Sequence, residues 1–94
     1  AVIDVPDETP IEAELARRGW TLTDILITHH HADHIDGVDA LRGASGARVT
    51  GAAADAHRLP RLDRAVAEGD RFALGSAELR VIDVSGHTLG HIAF

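Results

Sequence analysis

The sequence predicts an α/β fold in which parallel strands alternate with helices, and two patterns support this prediction. Short apolar runs typical of buried strands alternate with segments whose apolar residues recur at helical spacing. Histidines and acids cluster directly after strand candidates, where ligands from separate elements can meet. With 94 residues, the chain can form at most one small domain. Because both ends read as parts of strands, we expect residues 1–94 to be the N-terminal half of a larger domain, truncated at both ends.

The composition narrows the classes of partner and chemistry. Nine basic residues against fifteen acidic ones give a net charge of −6, which disfavours a nucleic-acid partner because a phosphate backbone requires a basic face. The absence of cysteine excludes disulfides, thiolate metal ligands and a cysteine nucleophile. We find no signal peptide and no apolar run long enough for a membrane span. We therefore expect a cytoplasmic protein without a membrane partner.

The first elements are predicted to be a short strand and a helix. Residues 1–4 are strand-like and end at Asp4. Thr9 is expected to cap the helix, with Pro10 at the first helical position and Glu12 completing a capping box. The helix should end at Gly19, because glycine readily adopts the left-handed conformation of a C-terminal cap.

The middle of the chain predicts two more strands with a helix between them. Residues 24–28 are too uniformly apolar to alternate, as expected for a strand covered on both faces. Residues 48–50 form the next strand candidate, and the order favours parallel pairing through right-handed crossovers. Residues 52–59 could add one or two helical turns. The intervening helix has apolar residues at i, i+3 and i+6, namely Ile35, Val38 and Leu41.

The last third of the chain changes pattern and predicts a β-hairpin. Its strands would be residues 72–74 and 78–84, joined by a tight turn at Gly75. Residues 91–94 read as the beginning of another strand. The second strand of the hairpin ends shortly before Gly86 and His87, and the last strand begins at His91. This region can therefore deliver side chains to a site formed elsewhere.

A histidine-rich segment after the second strand predicts a metal site. In an extended segment His29 and His31 point to one side while His30 faces away. Asp33 and His34 would follow at the mouth of a helix that starts near Ile35. These nitrogen and oxygen donors suit zinc, and the internal position argues against a purification tag. The segment reads Thr28-His29-His30-His31-Ala32-Asp33-His34-Ile35-Asp36-Gly37.

A second cluster lies about fifty residues further along the chain. Gly86 and Gly90 permit tight turns that would hold the residues between them in a fixed loop, and His87 could supply a third imidazole. His91 either supports this site or merely starts the next strand, and His57 reads as an ordinary surface residue. The cluster reads Ser85-Gly86-His87-Thr88-Leu89-Gly90-His91.

Together the two clusters resemble the metal motifs of the metallo-β-lactamase fold superfamily, and within it those of the hydroxyacylglutathione hydrolases (glyoxalase II). The resemblance implies part of an αββα sandwich. It also implies two zinc ions, with iron or manganese as alternatives. His29, His31 and His87 would bind the first ion, and Asp33 and His34 the second. Asp4 matches an acid that supports such sites, although it could equally be a turn-forming residue before Pro6.

The resemblance further implies that the parent protein hydrolyses a thioester such as S-lactoylglutathione by a metal-bound hydroxide, which Asp33 would orient. Two alternatives stay open. One is a persulfide dioxygenase with a single iron, and the other is a non-catalytic metal-binding fragment that self-associates. The family's Asp-Pro-Gly is replaced here by Asp-Val-Pro-Asp at residues 4–7, and Ser85 replaces a proline. A bridging aspartate and a last histidine ligand would lie beyond Phe94, so the isolated chain is expected to be inactive.

Overall fold

The computed structural model describes residues 1–94 and contains a four-stranded parallel sheet. Its strands lie side by side in chain order, and each neighbouring pair is parallel. This confirms the predicted alternation of strands and crossovers, although the fourth strand was not predicted. The strands are β1 (Val2–Ile3), β2 (Asp24–Leu26), β3 (Arg48–Ala52) and β4 (Arg64–Val66).

Three α-helices accompany this sheet: α1 (Glu8–Arg18), α2 (Ala32–Ile35) and α3 (Val38–Ser45). All of β2 is buried, as predicted for a strand covered on both faces. Val38 and Leu41 of α3 are fully buried, and Ile11 and Leu15 of α1 pack against the same core. No helix is both long and apolar enough to cross a membrane. The buried members of this core are Val5, Leu22, Ile25, Ile27, Val38, Leu41, Ala47 and Val49.

The predicted start of α1 was wrong by two residues. Asp7, rather than Thr9, is the N-cap: its backbone is extended and its carboxylate accepts a hydrogen bond from Thr9 N at 2.9 Å. Both residue types cap helices well, and the proline at position 10 is tolerated because the first turn has unpaired N–H groups anyway. The end of α1 at Gly19, with φ 65°, is as predicted.

The helix expected to start near Ile35 is divided into α2 and α3. The break occurs at Gly37, whose N–H donates to Val5 O at 2.9 Å. Val5 N in turn donates to His34 O at 2.8 Å. A Cβ at position 37 would lie 2.7 Å from Glu8 N, so only glycine allows this close approach. The segment with Asp33 and His34 is therefore docked onto the loop that follows β1.

The C-terminal third forms two small antiparallel pairs. The predicted hairpin is present as β5 (Arg71–Leu74) and β6 (Ala77–Arg80), and the predicted last strand is β8 (Ile92–Ala93). The single strand expected over residues 78–84 was wrong. It is interrupted at Val81, which is fully buried and donates its N–H to Asp70 O at 2.8 Å. Beyond it, β7 (Ile82–Asp83) pairs with β8 instead.

Candidate metal centre

The two histidine clusters meet because the strands that carry them end close together. The first cluster follows β2, and the second lies in the loop between β7 and β8. Ile92 N donates a hydrogen bond to Thr28 O at 3.0 Å, which joins the two segments directly through their backbones. The fold therefore brings together side chains that are more than fifty positions apart in the chain.

Three imidazoles converge at this junction. The ring centroids of His29 and His31 lie 4.9 Å apart, those of His29 and His87 5.1 Å, and those of His31 and His87 4.7 Å. One ring nitrogen from each of the three lies within 4.8 Å of the others. His29 is buried, His31 half-buried and His87 exposed. The three residues together could hold one metal ion, and imidazole is a common ligand for zinc.

The electrostatic state of His29 suits a ligand. Its Nε2 atom is buried and has no hydrogen-bond partner, which is costly for a polar atom unless something binds there. Burial lowers the pKa of His29 below its ordinary value of 6.5, and the neighbouring His34 and His91 lower it further. The ring is therefore neutral at physiological pH, as metal binding requires.

Asp4 determines which nitrogen of two histidines is free. Its carboxylate accepts hydrogen bonds from Thr28 N at 2.8 Å, Thr28 Oγ1 at 2.7 Å and His34 Nδ1 at 2.8 Å. Thr28 Oγ1 also lies 2.8 Å from His29 Nδ1. Because the hydroxyl hydrogen goes to the carboxylate, His29 Nδ1 must be the donor in that contact. The Nε2 atoms of both histidines therefore keep free lone pairs.

The second pair of predicted ligands is less complete. Asp33 Oδ2 lies 3.7 Å from His34 Nε2, but its side chain is 80% exposed and belongs to no group of three donors. A second group does contain His34, together with Asp4 and His29. In that group, however, the carboxylate of Asp4 already accepts three hydrogen bonds. The presence of Asp4 in this group is therefore explained by its hydrogen bonds.

The remaining histidines lie outside both groups of donors. The ring of His91 lies 4.4 Å from that of His29, immediately before β8. His57 is exposed. His30 Nδ1 lies 3.1 Å from Oδ2 of Asp55. Sequence reasoning missed Asp55, because a single acid in an alanine-rich stretch carries no local signal of a role in the site.

The largest groove of the molecule, about 680 Å³, is not at this junction. It lies along α1 and is lined by apolar residues such as Ile11, Leu15 and Trp20, with no histidine among them. The chemistry-bearing side chains therefore lie at the strand ends, and the groove is a separate surface feature.

Comparisons with known proteins identify the family and the fold. The family model described as the metallo-beta-lactamase superfamily matches residues 4–94. Proteins named hydroxyacylglutathione hydrolase are 68% identical in Jannaschia sp. (strain CCS1) and 54% identical in Rhodospirillum rubrum, over the whole chain. The chain spans 37% of the length of each. Among solved structures, BJP-1, a subclass B3 metallo-beta-lactamase of Bradyrhizobium japonicum, is 28% identical with a TM-score of 0.81, covering 96% of this chain and 43% of that one.

Proposed function

Because the chain belongs to the metallo-β-lactamase superfamily, we propose that it forms the first part of a metal-dependent hydrolase that cleaves glutathione thioesters of the S-lactoylglutathione type. The substrate class is supported by relatives 54–68% identical that are named hydroxyacylglutathione hydrolase. Since the chain spans 37% of their length, the activity is proposed for the complete protein, meaning this chain with any sequence that flanks it in its gene. Such a substrate also favours the cytoplasm, where glutathione sets the redox poise.

The observation that carries the proposal is the convergence of imidazoles from two distant segments. His29, His31 and His87 are the proposed ligands of one ion, and Asp33 and His34 those of a second. Zinc is proposed, although iron and manganese accept the same donors. When bound, zinc would lower the pKa of a coordinated water to about 7 and polarise the thioester carbonyl.

The chain's own residues have two tasks in this proposal. The Asp4–Thr28 pair engages Nδ1 of both His29 and His34, which leaves Nε2 as the nitrogen of each ring that faces an ion. Asp33, 80% exposed, has two carboxylate oxygens, so besides being a proposed ligand it can accept a hydrogen bond from the attacking water and orient that water toward the carbonyl carbon. The departing thiol has an ordinary pKa of about 8.5, so it leaves as a thiolate with little help from a general acid.

The test compares two histidines in the complete protein. His87→Ala should lose most of its bound metal and its release of glutathione from S-lactoylglutathione. His57→Ala, which removes an exposed imidazole outside both donor groups, should keep both. Metal content by elemental analysis and thiol release by a colorimetric assay give the readouts. A metal-free wild type, or loaded wild type that releases no glutathione, would refute the proposal.

A second candidate function is a mononuclear iron dioxygenase acting on glutathione persulfide. It is favoured by one observation: Asp33 stands outside both donor groups, as expected for an enzyme that holds a single iron by two histidines and one aspartate and so does not use every residue of the motif as a ligand. Oxygen uptake with glutathione persulfide and one iron per chain would favour this function over hydrolysis. The 94-residue chain by itself is proposed to bind metal without turnover. Thioester cleavage by that chain at the rate of the complete protein would contradict this.

A further inference from the structure

Asp55 is an almost fully buried acid beside the metal centre. It ends the short 3-10 helix Ala53–Asp55 that follows β3, and its side chain is 1% exposed. Burying a carboxylate costs free energy unless it is paired and hydrogen-bonded. Here Arg58 Nε donates to Oδ1 at 2.7 Å, and the Nη2 atom of the same guanidinium also contacts Oδ1. The ion pair leaves the second oxygen, Oδ2, available to another donor.

That second oxygen contacts the first histidine segment. His30 Nδ1 lies 3.1 Å from Oδ2, and because a carboxylate only accepts hydrogen bonds, His30 is the donor. His30 stands between two of the proposed ligands. The ring of His30 also lies 5.1 Å from that of His31, so anchoring His30 restricts the positions that His31 can take and, through the shared backbone, those of His29.

The same side chain packs against the second segment at Gly90. A Cβ at position 90 would lie 2.5 Å from Cγ and 2.6 Å from Cβ of Asp55. Such distances are forbidden, so only glycine lets the loop approach this closely. Gly90 lies between His87 and His91, and its contact with Asp55 therefore sets the distance of that loop from the first segment.

We infer that Asp55 is a positioning residue that holds the two histidine segments at the separation metal binding requires. Asp55 accepts a hydrogen bond from His30 in the first segment and packs against Gly90 in the second, while the ion pair with Arg58 fixes its position. The inference rests on the proposed function, because it assumes that the converging imidazoles bind metal. Partners that orient metal ligands typically contribute 10–100-fold to metal affinity.

The test measures zinc affinity of the complete protein by competition with a chromophoric chelator, and the visible absorption of the cobalt-substituted protein. Asp55→Ala should weaken zinc binding by about 10–100-fold and change the cobalt spectrum. Asp55→Asn, which keeps the shape that packs against Gly90 but can accept from only one of His30 and Arg58, should lose less zinc affinity than Asp55→Ala. The matched control is Asp63→Ala. Asp63 also pairs with an arginine, Arg42 at 2.6 Å, but lies outside both donor groups. The Asp63→Ala variant should have a lower unfolding temperature than the wild type and the same zinc affinity.

A glycine substitution tests the packing half of the inference. Gly90→Ala should weaken zinc binding, whereas Gly43→Ala, where a Cβ meets nothing within 4 Å, should not. Asp55→Ala and Gly90→Ala combined should bind no more weakly than Asp55→Ala alone, because the clash is gone. Wild-type affinity in Asp55→Ala, or losses that simply multiply, would overturn the inference. If Asp55→Ala does not fold, Gly90→Ala alone decides. Failure of the wild type to bind zinc would instead refute the proposed function.

Discussion

Replacing Asp4 by asparagine should both destabilise the chain and weaken its metal site. Asp4 has φ 56°, in the left-handed region that asparagine tolerates nearly as well as aspartate. The change therefore adds no backbone strain, and it preserves the shape of the side chain. What it removes is one acceptor and the negative charge. Asp4→Ala would be a less informative variant, because backbone strain at this positive φ would add to the loss of the hydrogen bonds.

The size of the effect follows from the three hydrogen bonds that the carboxylate accepts. An amide offers one oxygen, so at least one donor, Thr28 N or the pair of Thr28 Oγ1 and His34 Nδ1, would face an NH₂ group. A hydrogen bond to a charged group contributes about 1.5–3 kcal/mol and a neutral one about 0.5–1.5 kcal/mol. Losing one bond and neutralising the others should lower the free energy of unfolding by about 3–5 kcal/mol.

Two assays measure the two consequences of Asp4→Asn. Urea unfolding of the metal-free protein gives the stability, and chelator competition gives zinc affinity, which should fall about 10–100-fold because the tautomers of His29 and His34 are no longer held. Asp36→Asn is the control, since Asp36 is an exposed acid of the same segment. If Asp4→Asn behaves like Asp36→Asn in both assays, the proposed hydrogen-bond chain does not support the site.

Three further outcomes are expected. Gly37→Ala should cost about 1–3 kcal/mol by overpacking, whereas Gly43→Ala, which meets nothing within 4 Å in the middle of α3, should gain about 0.5–1 kcal/mol in urea unfolding. Leu41→Ala should lose about 2–5 kcal/mol because the side chain is fully buried, while Leu89→Ala, 88% exposed, should change stability little. Because burial lowers the pKa of His29, the unfolded chain binds more protons below about pH 6.5. The unfolding free energy of the metal-free protein should therefore fall as the pH drops below that value, and more weakly in His29→Leu. Equal losses of unfolding free energy in the two glycine variants, or in the two leucine variants, would contradict these expectations. So would an unfolding free energy that depends on pH in the same way with and without His29.

The parallel sheet could be predicted because its signals are local. Uniformly apolar runs, helical spacing and a C-terminal glycine each depend on residues close together in the chain. The errors arose where two local signals competed. Asp7 and Thr9 are both good caps, and only the position of the carboxylate against Thr9 N decided between them. The pattern over residues 78–84 is typical of one strand, and the burial of Val81 that interrupts it is visible only in the structure.

The same contrast separates the proposed ligands from the acids that orient them. All five proposed ligands could be named from the sequence. Four of them lie within residues 29–34, and the fifth, His87, lies between Gly86 and Gly90. Asp4 bonds to His34, which is 30 positions away in the chain, and Asp55 bonds to His30, which is 25 positions away. No rule of sequence spacing predicts hydrogen bonds over such separations. Asp4 was named only through family resemblance, and Asp55 not at all. A metal centre formed where strand ends meet draws its ligands from the loops of those strands. Its supporting acids come from the neighbouring loops, which become neighbours only when the sheet is assembled.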